Sequence, residues 1–367
     1  MKSTYNIAVL PGDGIGVEVT HAALRVIEAL QPVCGIHLQT QIYAAGAQHY
    51  LDSGDALPKA TLKACGEADA ILFGAMGLPH VRGKDGTEII PQLDIRFHFD
   101  LYAGVRPIRT FPGLPSPLSS PKAANIDLVL VRESTEGLFY ARGRGDRRAN
   151  EEVFDTQRIT RVGTERVCHF AFKLAEQRKR EGRDGRKGTV TNVDKANVFE
   201  SMAFWREVFE RVAKGYPDIQ SSSAYVDAVA LNLVLKPWDF DVMVTENMFG
   251  DILSDLVAGL VGGMGMAPSA DIGDNHAVFQ PAHGTAPDIA GKGIANPTAM
   301  LLSVVMMLDW LADRHDDASL RITARALERA VERPFARGEM LTAEFGGSDG
   351  TDAVTQKVID ELRALSK

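Results

Sequence analysis

The 367-residue sequence predicts an α/β fold with a largely parallel sheet, built as two domains or as one large one. Short apolar runs alternate with stretches of helical spacing along the whole chain, which is the pattern of strand–helix–strand units. Hydrophobic residues make up 45% of the chain and charged residues 24%, as in ordinary globular proteins. A chain of this length buries enough surface to fold without a disulfide or a structural metal.

Strands are predicted where short apolar runs end in glycine or charged residues, and helices where apolar residues recur every three or four positions. The predicted strands cover residues 7–10, 70–73, 126–131, 187–193 and 240–244. The predicted helices cover residues 17–30, 250–260, 335–339 and the last 15 residues, with two more running from after 197 to about 212 and from 298 onward. The proline-rich segment 110–121 and the Gly- and Arg-rich segment 141–148 are predicted to lie outside this framework.

The overall composition excludes several functional classes. The formal net charge of −8 argues against a nucleic-acid-binding protein, which would show a basic face. No stretch reaches the ~18 consecutive apolar residues of a membrane span, and the N-terminus shows no secretory pattern, so we expect a cytoplasmic protein. Cys34, Cys65 and Cys168 are scattered, and their spacing indicates neither a disulfide framework nor a zinc site.

Residues 12–16 (GDGIG) form a glycine-rich turn between the first strand and the first helix, where a dinucleotide fingerprint would lie. That fingerprint requires glycine at its first, third and sixth positions, and the sixth position here is Val17. The turn is therefore predicted to be a tight strand-to-helix connection that needs positive φ, and a Rossmann phosphate loop is unsupported.

Two acids lie four positions apart in segment 247–255 (NMFGDILSD), so a helix would place Asp251 and Asp255 on one face. Like charges at that spacing repel each other, and a bound divalent cation would remove the conflict. Carboxylate oxygens suit Mg²⁺ or Mn²⁺. An acidic, solvated helix face is the alternative that the spacing alone leaves open.

Other charged residues lie beside predicted strands. Lys195 follows one strand directly, where the active-site groups of open α/β sheets collect. Asp227 is a single acid in an apolar run, so it is expected to be paired or metal-bound. Three arginines near strand ends, together with a metal, would suit a small di- or tricarboxylic acid, although a single arginine at such a position is more often a surface charge. These arginines are Arg96, Arg106 and Arg132.

Residues 283–297 (HGTAPDIAGKGIANP) fit neither a helix nor a strand, and an apolar helix follows them. Loops of this length without secondary structure are usually functional or disordered. The mixture of Ile, Ala, His and Asn is not that of a disordered segment. A functional loop is therefore predicted here.

Seven motifs together resemble the isocitrate/isopropylmalate dehydrogenase family of metal-dependent, β-decarboxylating 2-hydroxyacid dehydrogenases. They occur in family order over nearly the whole chain: 11–16 (PGDGIG), 95–107 (IRFHFDLYAGVRP), 131–133 (VRE), 194–198 (DKANV), 226–228 (VDA), 247–255 and 283–299. The resemblance implies an α/β, two-domain fold with a non-Rossmann cofactor site. Residues 1–104 and 262–367 would form a discontinuous cofactor-binding domain. Residues 105–261 would form a smaller domain with the metal ligands, the dimer interface and a dimer-clasping arm at about 141–164.

The resemblance also implies a homodimer whose active sites are shared between subunits, so that a monomer would be inactive. Asp251 and Asp255 match the metal ligands of one subunit, and Asp227 matches the ligand from its partner. Lys195, also offered across the dimer, matches the general base or proton relay for the 2-hydroxyl. The residues that match the family's substrate-carboxylate ligands are Arg96, Arg106 and Arg132.

The loop implied to bind the cofactor contains one acidic residue, Asp288. Its carboxylate would hydrogen-bond the adenosine ribose hydroxyls and would repel the 2′-phosphate of NADP. NADP-using relatives have Lys-Tyr where this chain has Asp288-Ile289, so the predicted cofactor is NAD. The implied cofactor-binding residues are His283, Gly284, Thr285, Ala286, Asp288, Ile289 and Asn296.

Two positions depart from the family pattern. The family tyrosine that donates a proton after decarboxylation lies seven residues after the arginine matching Arg132, and Phe139 stands there. Tyr140 is adjacent and is the candidate acid, but a local bulge would have to turn it into the site, unless water or another acid substitutes. The second departure is Gln280, where relatives usually have Glu shortly before the His-Gly pair.

Substrate choice is expected to depend on the residues just before Arg96. Isocitrate enzymes have Ser and Asn where this chain has Ile90 and Gln92, and homoisocitrate enzymes have Arg where it has Leu93. The pocket is therefore expected to hold an apolar or small substituent, as in isopropylmalate, tartrate or D-malate enzymes. Gln92 favours a polar substituent such as the hydroxyl of tartrate.

The predicted activity is the oxidation of the 2-hydroxyl of a malate-type diacid, with hydride transfer to NAD and loss of CO₂ assisted by Mg²⁺ or Mn²⁺. The alternative is a catalytically weak or non-catalytic regulatory or binding homologue of the same fold. Phe139 and Gln280 favour this alternative, and the intact Lys195 and the aspartates oppose it.

Overall fold

The computed structural model describes residue 2 and residues 4–84, 86–181 and 188–365. Strands and helices alternate through these residues, which confirms the α/β class. The strands are β1 (Tyr5–Gly12), β2 (Leu38–Ile42), β3 (Ala70–Ala75), β4 (Ala103–Arg109), β5 (Asp127–Glu133), β6 (Asp146–Arg148), β7 (Glu152–Phe154), β8 (Thr189–Asp194), β9 (Gln220–Tyr225), β10 (Val242–Thr245), β11 (Pro268–Ile272) and β12 (Ala277–Pro281). The helices are α1 (Ile15–Cys34), α2 (Ala47–Ser53), α3 (Lys59–Glu67), α4 (Pro91–His98), α5 (Arg161–Glu181), α6 (Glu200–Ala213), α7 (Val226–Leu235), α8 (Asn247–Gly259), α9 (Thr298–His315), α10 (Ala318–Ala336) and α11 (Thr351–Leu365).

One sheet of ten strands organises the described part of the chain, in the order β2-β1-β3-β12-β11-β4-β5-β10-β8-β9. Most neighbouring strands are parallel, as the sequence predicts. The centre differs, because β11 lies antiparallel between β12 and β4, and β4 lies antiparallel to β5. These antiparallel strands carry the substrate-site arginines predicted on the sheet, so the deviation from a parallel pattern lies at the functional centre.

The strands predicted from apolar runs are the ones buried on both faces. All six residues of β3 and all four of β10 are buried. The edge strand β9, with the sequence QSSSAY, is mostly exposed and has no apolar pattern, so it went unpredicted. The predicted strand 187–193 is observed from Thr189, and residue 187 lies outside the described residues.

The bounds of one predicted helix are wrong. The helix predicted at 335–339 corresponds only to the end of α10, which begins at Ala318. This helix is amphipathic and buries its apolar face, while charged residues occupy the other face. The predicted arm at about 141–164 stays a prediction, and α5 begins near its end, at Arg161. This segment contains the antiparallel hairpin β6–β7. Every residue of the two strands is exposed, so burial within one chain does not stabilise the hairpin.

Helices cover both faces of the sheet. On one face α1 packs against β1, β3 and α11, and α9 packs against α10, β11 and β12. On the half of the sheet formed by the middle of the chain, α5 lies on β5 and β10, and α8 lies against β5. The division at 104/105 and 261/262 stays a prediction, and β4 itself crosses the first of these points. Among the described residues, no helix combines the length and apolar character of a membrane span.

Candidate active site

The centre of the site is a row of three residues that face each other across β11, β4 and β5. Register pairs Asp271 with Gly104, and Gly104 with Arg132. Side chains directly opposite each other point to one face of the sheet, and Arg106, two positions after Gly104, shares that face. A Cβ on Gly104 would lie 2.7 Å from Ser134 Oγ and 3.1 Å from Asp271 Oδ1. Glycine therefore leaves the space in which the flanking charged groups approach each other.

Asp271 pairs with two of the predicted substrate arginines. Arg96, on α4, donates from Nη2 to Asp271 Oδ2 at 3.1 Å, and Arg106 Nη2 lies 3.8 Å from Oδ1. Gln280, on β12, donates from Nε2 to the same Oδ2 at 2.9 Å. All three charged side chains are buried. Oδ1 of Asp271 and Nε of Arg96 have no hydrogen-bond partner among the described residues. The cluster therefore has one acceptor and one donor that can still form hydrogen bonds.

Arg132 is held by the first turns of α8. Its Nε and Nη2 donate to Asn247 Oδ1 at 2.9 and 2.6 Å, and its Nη1 forms an ion pair with Asp251. The helix approaches closely at Gly250, where a Cβ would lie 2.6 Å from Arg132 Cγ. Glu246 caps α8 by accepting from the backbone N–H groups of residues 248 and 249. These contacts fix the direction in which the guanidinium of Arg132 points.

The electrostatics of the cluster follow from burial. Desolvation and the charge of Arg96 lower the pKa of Arg132 to about 10, and desolvation lowers that of Arg106 as well. Burial alone would raise the pKa of Asp271, but the charges of the three arginines lower it below its ordinary value. The lowered pKa of Asp271 keeps its carboxylate ionised at neutral pH, and the three guanidinium groups outnumber the one carboxylate that they enclose.

The predicted metal ligands Asp251 and Asp255 both lie on α8 and face the arginine cluster. Partial desolvation, and then the negative charge of Asp251, raise the pKa of Asp255. This is the conflict between like charges that a divalent cation would relieve. Within one chain, the described residues contain no group of three or more His, Cys, Asp or Glu side chains that could hold a metal, so Asp227 does not join the two.

Lys195 and Asp227 form a separate pair. Lys195 Nζ donates to Asp227 Oδ1 at 2.5 Å, and this hydrogen bond lowers the pKa of Asp227, whose side chain is 69% exposed. Lys195 follows β8, where the buried Asp194 accepts from Ala196 N and from Arg206 and so fixes the turn. Asp227 lies in the first turn of α7. The structure thus presents this pair at the surface of the chain.

The segment after β5 positions Phe139 toward Arg132. It forms a short 3₁₀ helix, Leu138–Ala141, in which the Phe139 ring centroid lies 4.9 Å from Arg132 Cζ. Tyr140 lies between two other guanidinium groups, with Arg144 and Arg158 at 4.2 and 4.0 Å from its ring centroid. The bulge that would replace Phe139 with Tyr140 at Arg132 is therefore absent from the described structure. The role of Tyr140 as the general acid stays a prediction, and the backbone conformation does not support it.

The two predicted substrate-side-chain positions lie on the first turn of α4. Gln92 Nε2 donates to Met76 O at 3.3 Å, and its Oε1 is buried without a partner among the described residues. Leu93 is buried. The free Oε1 is an acceptor that a substrate hydroxyl would satisfy, so the side chain retains the polar capacity that the sequence suggests.

The glycine-rich turn packs against the predicted cofactor loop. Gly12 and Gly14 have φ of 75° and 55°, which confirms the predicted strand-to-helix turn. Ile15 N donates to Thr285 O at 2.8 Å, and a Cβ on Gly14 would lie 2.1 Å from that oxygen. The turn thus packs directly on the loop, and Thr285 Oγ1 donates to Gly77 O at 2.7 Å.

The loop itself contains neither helix nor strand between β12 and α9, as predicted. Desolvation of the half-buried His283 ring lowers its pKa, and its Nε2 has no hydrogen-bond partner among the described residues. Asp288 is exposed, whereas Asn296 is buried and accepts from the backbone N–H of Thr298, the first residue of α9, at 3.0 Å. Gly284, Ala286 and Ile289 form the intervening backbone, and Ala286 has a φ of 36°.

Sequence reasoning missed Asp271 and the spacing roles of Gly104 and Gly250. Asp271 lies outside every motif, because its importance comes from strand register and not from local sequence. The structure also explains Gln280, for which the sequence offers no account: its amide donates a hydrogen bond to a carboxylate, which a glutamate could not do while ionised.

Comparisons with known proteins identify the family of the chain. The family described as isocitrate/isopropylmalate dehydrogenase matches residues 6–362. The chain is 38% identical to 3-isopropylmalate dehydrogenase of Aquifex aeolicus (strain VF5) over 98% of each chain. It is 40% identical to the Vibrio cholerae serotype O1 protein of the same name over 96% of this chain and 97% of that one. A crystal structure of isocitrate dehydrogenase from Methylococcus capsulatus superposes with a TM-score of 0.85 at 36% identity, covering 98% of this chain and 99% of that one. The chain belongs to the isocitrate/isopropylmalate dehydrogenase family.

Proposed function

We propose that the chain catalyses the NAD- and divalent-metal-dependent oxidative decarboxylation of a malate-type 2-hydroxy diacid, such as 3-isopropylmalate, tartrate or D-malate. The observation that carries this proposal is the cluster of three buried arginines beside the two aspartates of α8. Buried guanidinium groups with unsatisfied N–H donors favour carboxylate ligands, which they bind bidentately.

The side chains beside the arginines support a diacid. Leu93 is buried at the position where a further cation would be needed to bind a third carboxylate, and Gln92 is neutral. The relatives named 3-isopropylmalate dehydrogenase favour an apolar substituent. The free Oε1 of Gln92 favours a hydroxyl instead, so tartrate and D-malate stay within the proposal.

The residues fit both implied groups. Asp251 and Asp255 supply hard oxygen donors whose mutual repulsion a cation would relieve, and Mg²⁺ or Mn²⁺ suits such donors. The exposed Asp288 leaves a carboxylate of the loop accessible to a dinucleotide, and His283 Nε2 is a buried nitrogen without a partner among the described residues. When bound, the cation supplies Lewis-acid chemistry and NAD supplies the hydride acceptor.

The chain's own residues supply binding, orientation and proton transfer. Arg96, Arg106 and Arg132 hold the carboxylates and so fix the 2-hydroxyl in one position. Lys195 Nζ, once its ammonium form has released a proton to solvent, accepts the proton of that hydroxyl as the neutral amine. Its partner Asp227 keeps the ammonium group oriented through their 2.5 Å hydrogen bond until substrate arrives.

A second copy of the chain would complete the site. The Lys195–Asp227 pair is presented at the surface, apart from the arginine cluster. Around it α7 and α8 pack together and expose apolar side chains that a monomer would leave in water, among them Leu231, Val234, Leu235 and Ile252. We infer a homodimer in which this face is buried and each subunit offers Lys195 and Asp227 to its partner's arginines and aspartates.

A catalytically weak homologue of the same fold is the second candidate, and Phe139 favours it. The phenyl ring that contacts Arg132 has no proton to donate. A missing general acid lowers turnover by roughly 10²–10⁴-fold, so slow catalysis would be expected even in an otherwise complete site. The comparison of wild type with Lys195→Ala separates a non-catalytic homologue from an enzyme, because only the non-catalytic homologue would show no difference; a weak enzyme would exceed the variant but turn over slowly.

A substrate panel tests the proposal. Purified protein with NAD⁺ and Mn²⁺ is offered 3-isopropylmalate, tartrate, D-malate and isocitrate, and both NADH and CO₂ are measured. We expect equal amounts of NADH and CO₂ from at least one of the first three acids, and none from Lys195→Ala. Absence of NADH with every acid would refute the enzymatic proposal, and NADH without CO₂ would refute decarboxylation.

Mixing two inactive variants tests the shared site. Lys195→Ala and Arg132→Ala are each inactive alone if both residues are needed. When they are unfolded and refolded together, hybrid dimers contain one site with both residues intact, so about a quarter of the wild-type activity should return. Activity that stays at the level of the separate variants would show that each site uses residues of one subunit.

A further inference from the structure

Asp271 is a buried carboxylate that already occupies the arginines on which substrate should bind. It accepts from Arg96 at 3.1 Å and from Gln280 at 2.9 Å, and it lies 3.8 Å from Arg106. Arg132 has its own partners in Asn247 and Asp251. The Arg96–Arg106–Asp271 group therefore carries one net positive charge instead of two.

The surroundings are shaped to hold this carboxylate. The absence of a side chain at Gly104 leaves the space beside Oδ1, and the Gln280 amide supplies a donor where an ionised glutamate would supply a second negative charge. Oδ1 remains buried without a hydrogen-bond partner among the described residues. A carboxylate oxygen without a donor of its own keeps its negative charge unscreened, so it would repel a further carboxylate that enters the cluster.

We propose that Asp271, oriented by Gln280, is a built-in carboxylate that limits Arg96 and Arg106 to one carboxylate of the substrate and so selects dicarboxylic over tricarboxylic acids. The proposal deepens the proposed function and rests on it for the substrate class. Asp271 acts through the two arginines and is thus a positioning residue. Its negative charge repels a third carboxylate, and at an effective dielectric constant of ~20 a unit charge a few ångströms away changes affinity by about tenfold or more.

The test uses two ligands that differ by one carboxylate on the same carbon chain. Glutarate and tricarballylate share a three-carbon backbone, and only tricarballylate carries a carboxylate on the central carbon. Their Kd values are measured by ligand-observed NMR without metal or NAD, so the result does not depend on turnover. The variants are Asp271→Asn, Gln280→Glu and the double variant Asp271→Asn/Gln280→Glu. The double variant exchanges the carboxylate and the amide of the hydrogen-bonded pair, so the carboxylate moves from position 271 to position 280.

A matched control separates charge selection from loss of packing. Asp241 is another buried aspartate, and it accepts from Arg178 Nε at 2.7 Å, away from the arginine cluster. Asp241→Asn makes the same chemical change to a buried Asp–Arg pair. We expect it to lower thermal stability without changing the ratio of the two Kd values.

The expected pattern is specific. Asp271→Asn should tighten tricarballylate about tenfold relative to glutarate, and Gln280→Glu should weaken tricarballylate relative to glutarate. The double variant should return the ratio to within about threefold of wild type, because it restores the number of charges. In turnover, Asp271→Asn should raise kcat/KM for isocitrate relative to D-malate, mainly through KM.

Two outcomes would overturn the inference. One is a folded Asp271→Asn variant whose Kd ratio lies within twofold of wild type. The other is a double variant that keeps the ratio of Asp271→Asn, since shape and not charge at position 271 would then set the preference. Failure of the proposed function is distinguishable, because it would appear as absence of NADH in the wild type while the Kd ratios still shift.

Discussion

Replacing Gly250 by alanine should displace Arg132 and thereby weaken substrate binding. An added Cβ would lie 2.6 and 2.7 Å from Arg132 Cγ and Cβ, well inside the ~3.5–4 Å of a normal carbon–carbon contact. Arg132 cannot simply swing away, because it is buried and its Nε and Nη2 both bond Asn247 Oδ1. Either α8 or the guanidinium therefore has to move by about 1 Å.

The magnitude follows from two opposing effects. Overpacking of a buried contact costs about 1–3 kcal/mol, whereas Gly→Ala inside a helix contributes up to about 1 kcal/mol of stabilisation. The net free energy of unfolding of Gly250→Ala should fall by about 0–3 kcal/mol. A displacement of ~1 Å at a positioning arginine should raise KM for the diacid by about tenfold or more.

Gly259, at the end of the same helix, is the matched control. A Cβ there would meet nothing within 4 Å. Gly259→Ala should leave KM unchanged and keep or slightly raise stability. Thermal melts and steady-state kinetics on both variants decide the matter: if Gly250→Ala has the KM of wild type and melts no lower than Gly259→Ala, the reasoning about close approach is wrong.

Three further predictions concern the acid, a buried glutamate and the cofactor loop. Phe139→Tyr should raise the rate of CO₂ release by about 10²-fold or more, because it places a hydroxyl on the ring that contacts Arg132. Tyr140→Phe should change that rate little. Changes of equal size in the two variants would refute this assignment. Burial raises the pKa of Glu133 from its ordinary value of 4.5 to about 7, so the stability contributed by its protonated form is complete below pH 4.5 and is lost as pH rises through 7. The Tm of wild type minus that of Glu133→Gln should accordingly fall between these pH values, and a flat difference would contradict the shift. Asp288→Lys combined with Ile289→Tyr should lower the ratio of kcat/KM for NAD⁺ to that for NADP⁺ by at least about tenfold, and an unchanged ratio would mean that Asp288 does not select the cofactor.

Sequence patterns predicted the parts of the fold in which local composition and burial coincide. β3 and β10 are buried on both faces, so their continuous apolar runs predict them within about two residues. β11 (PSADI) contains a serine and an aspartate that are buried only because the site surrounds them, so its composition resembles a loop. The edge strand β9 is mostly exposed, so its sequence does not show the alternation of apolar residues that would predict a strand.

The same distinction applies to the candidate site. Arg96, Arg106 and Arg132 were predictable because each stands in a recognisable motif, and the acids of α8 because helical spacing puts them on one face. Asp271 and Gly104 were not, since their contact arises from the register of strands that are more than 160 residues apart in the chain. The periodicity of apolar residues in the local sequence does not indicate such a contact. Gly250 lies within a motif, but only the distance to Arg132 shows why a side chain is excluded there.

Charge balance connects these unpredicted residues to the activity. Burying three guanidinium groups together would be strongly unfavourable without carboxylates, since desolvation already lowers the pKa of two of them. Asp271 and Asp251 offset part of this cost from within the chain. The remainder, including the unsatisfied Nε of Arg96, is left for an anion from outside. The cluster is thus stable enough to form before substrate binds, yet incomplete until a carboxylate enters, which is the condition under which binding energy can be used to position a reacting group.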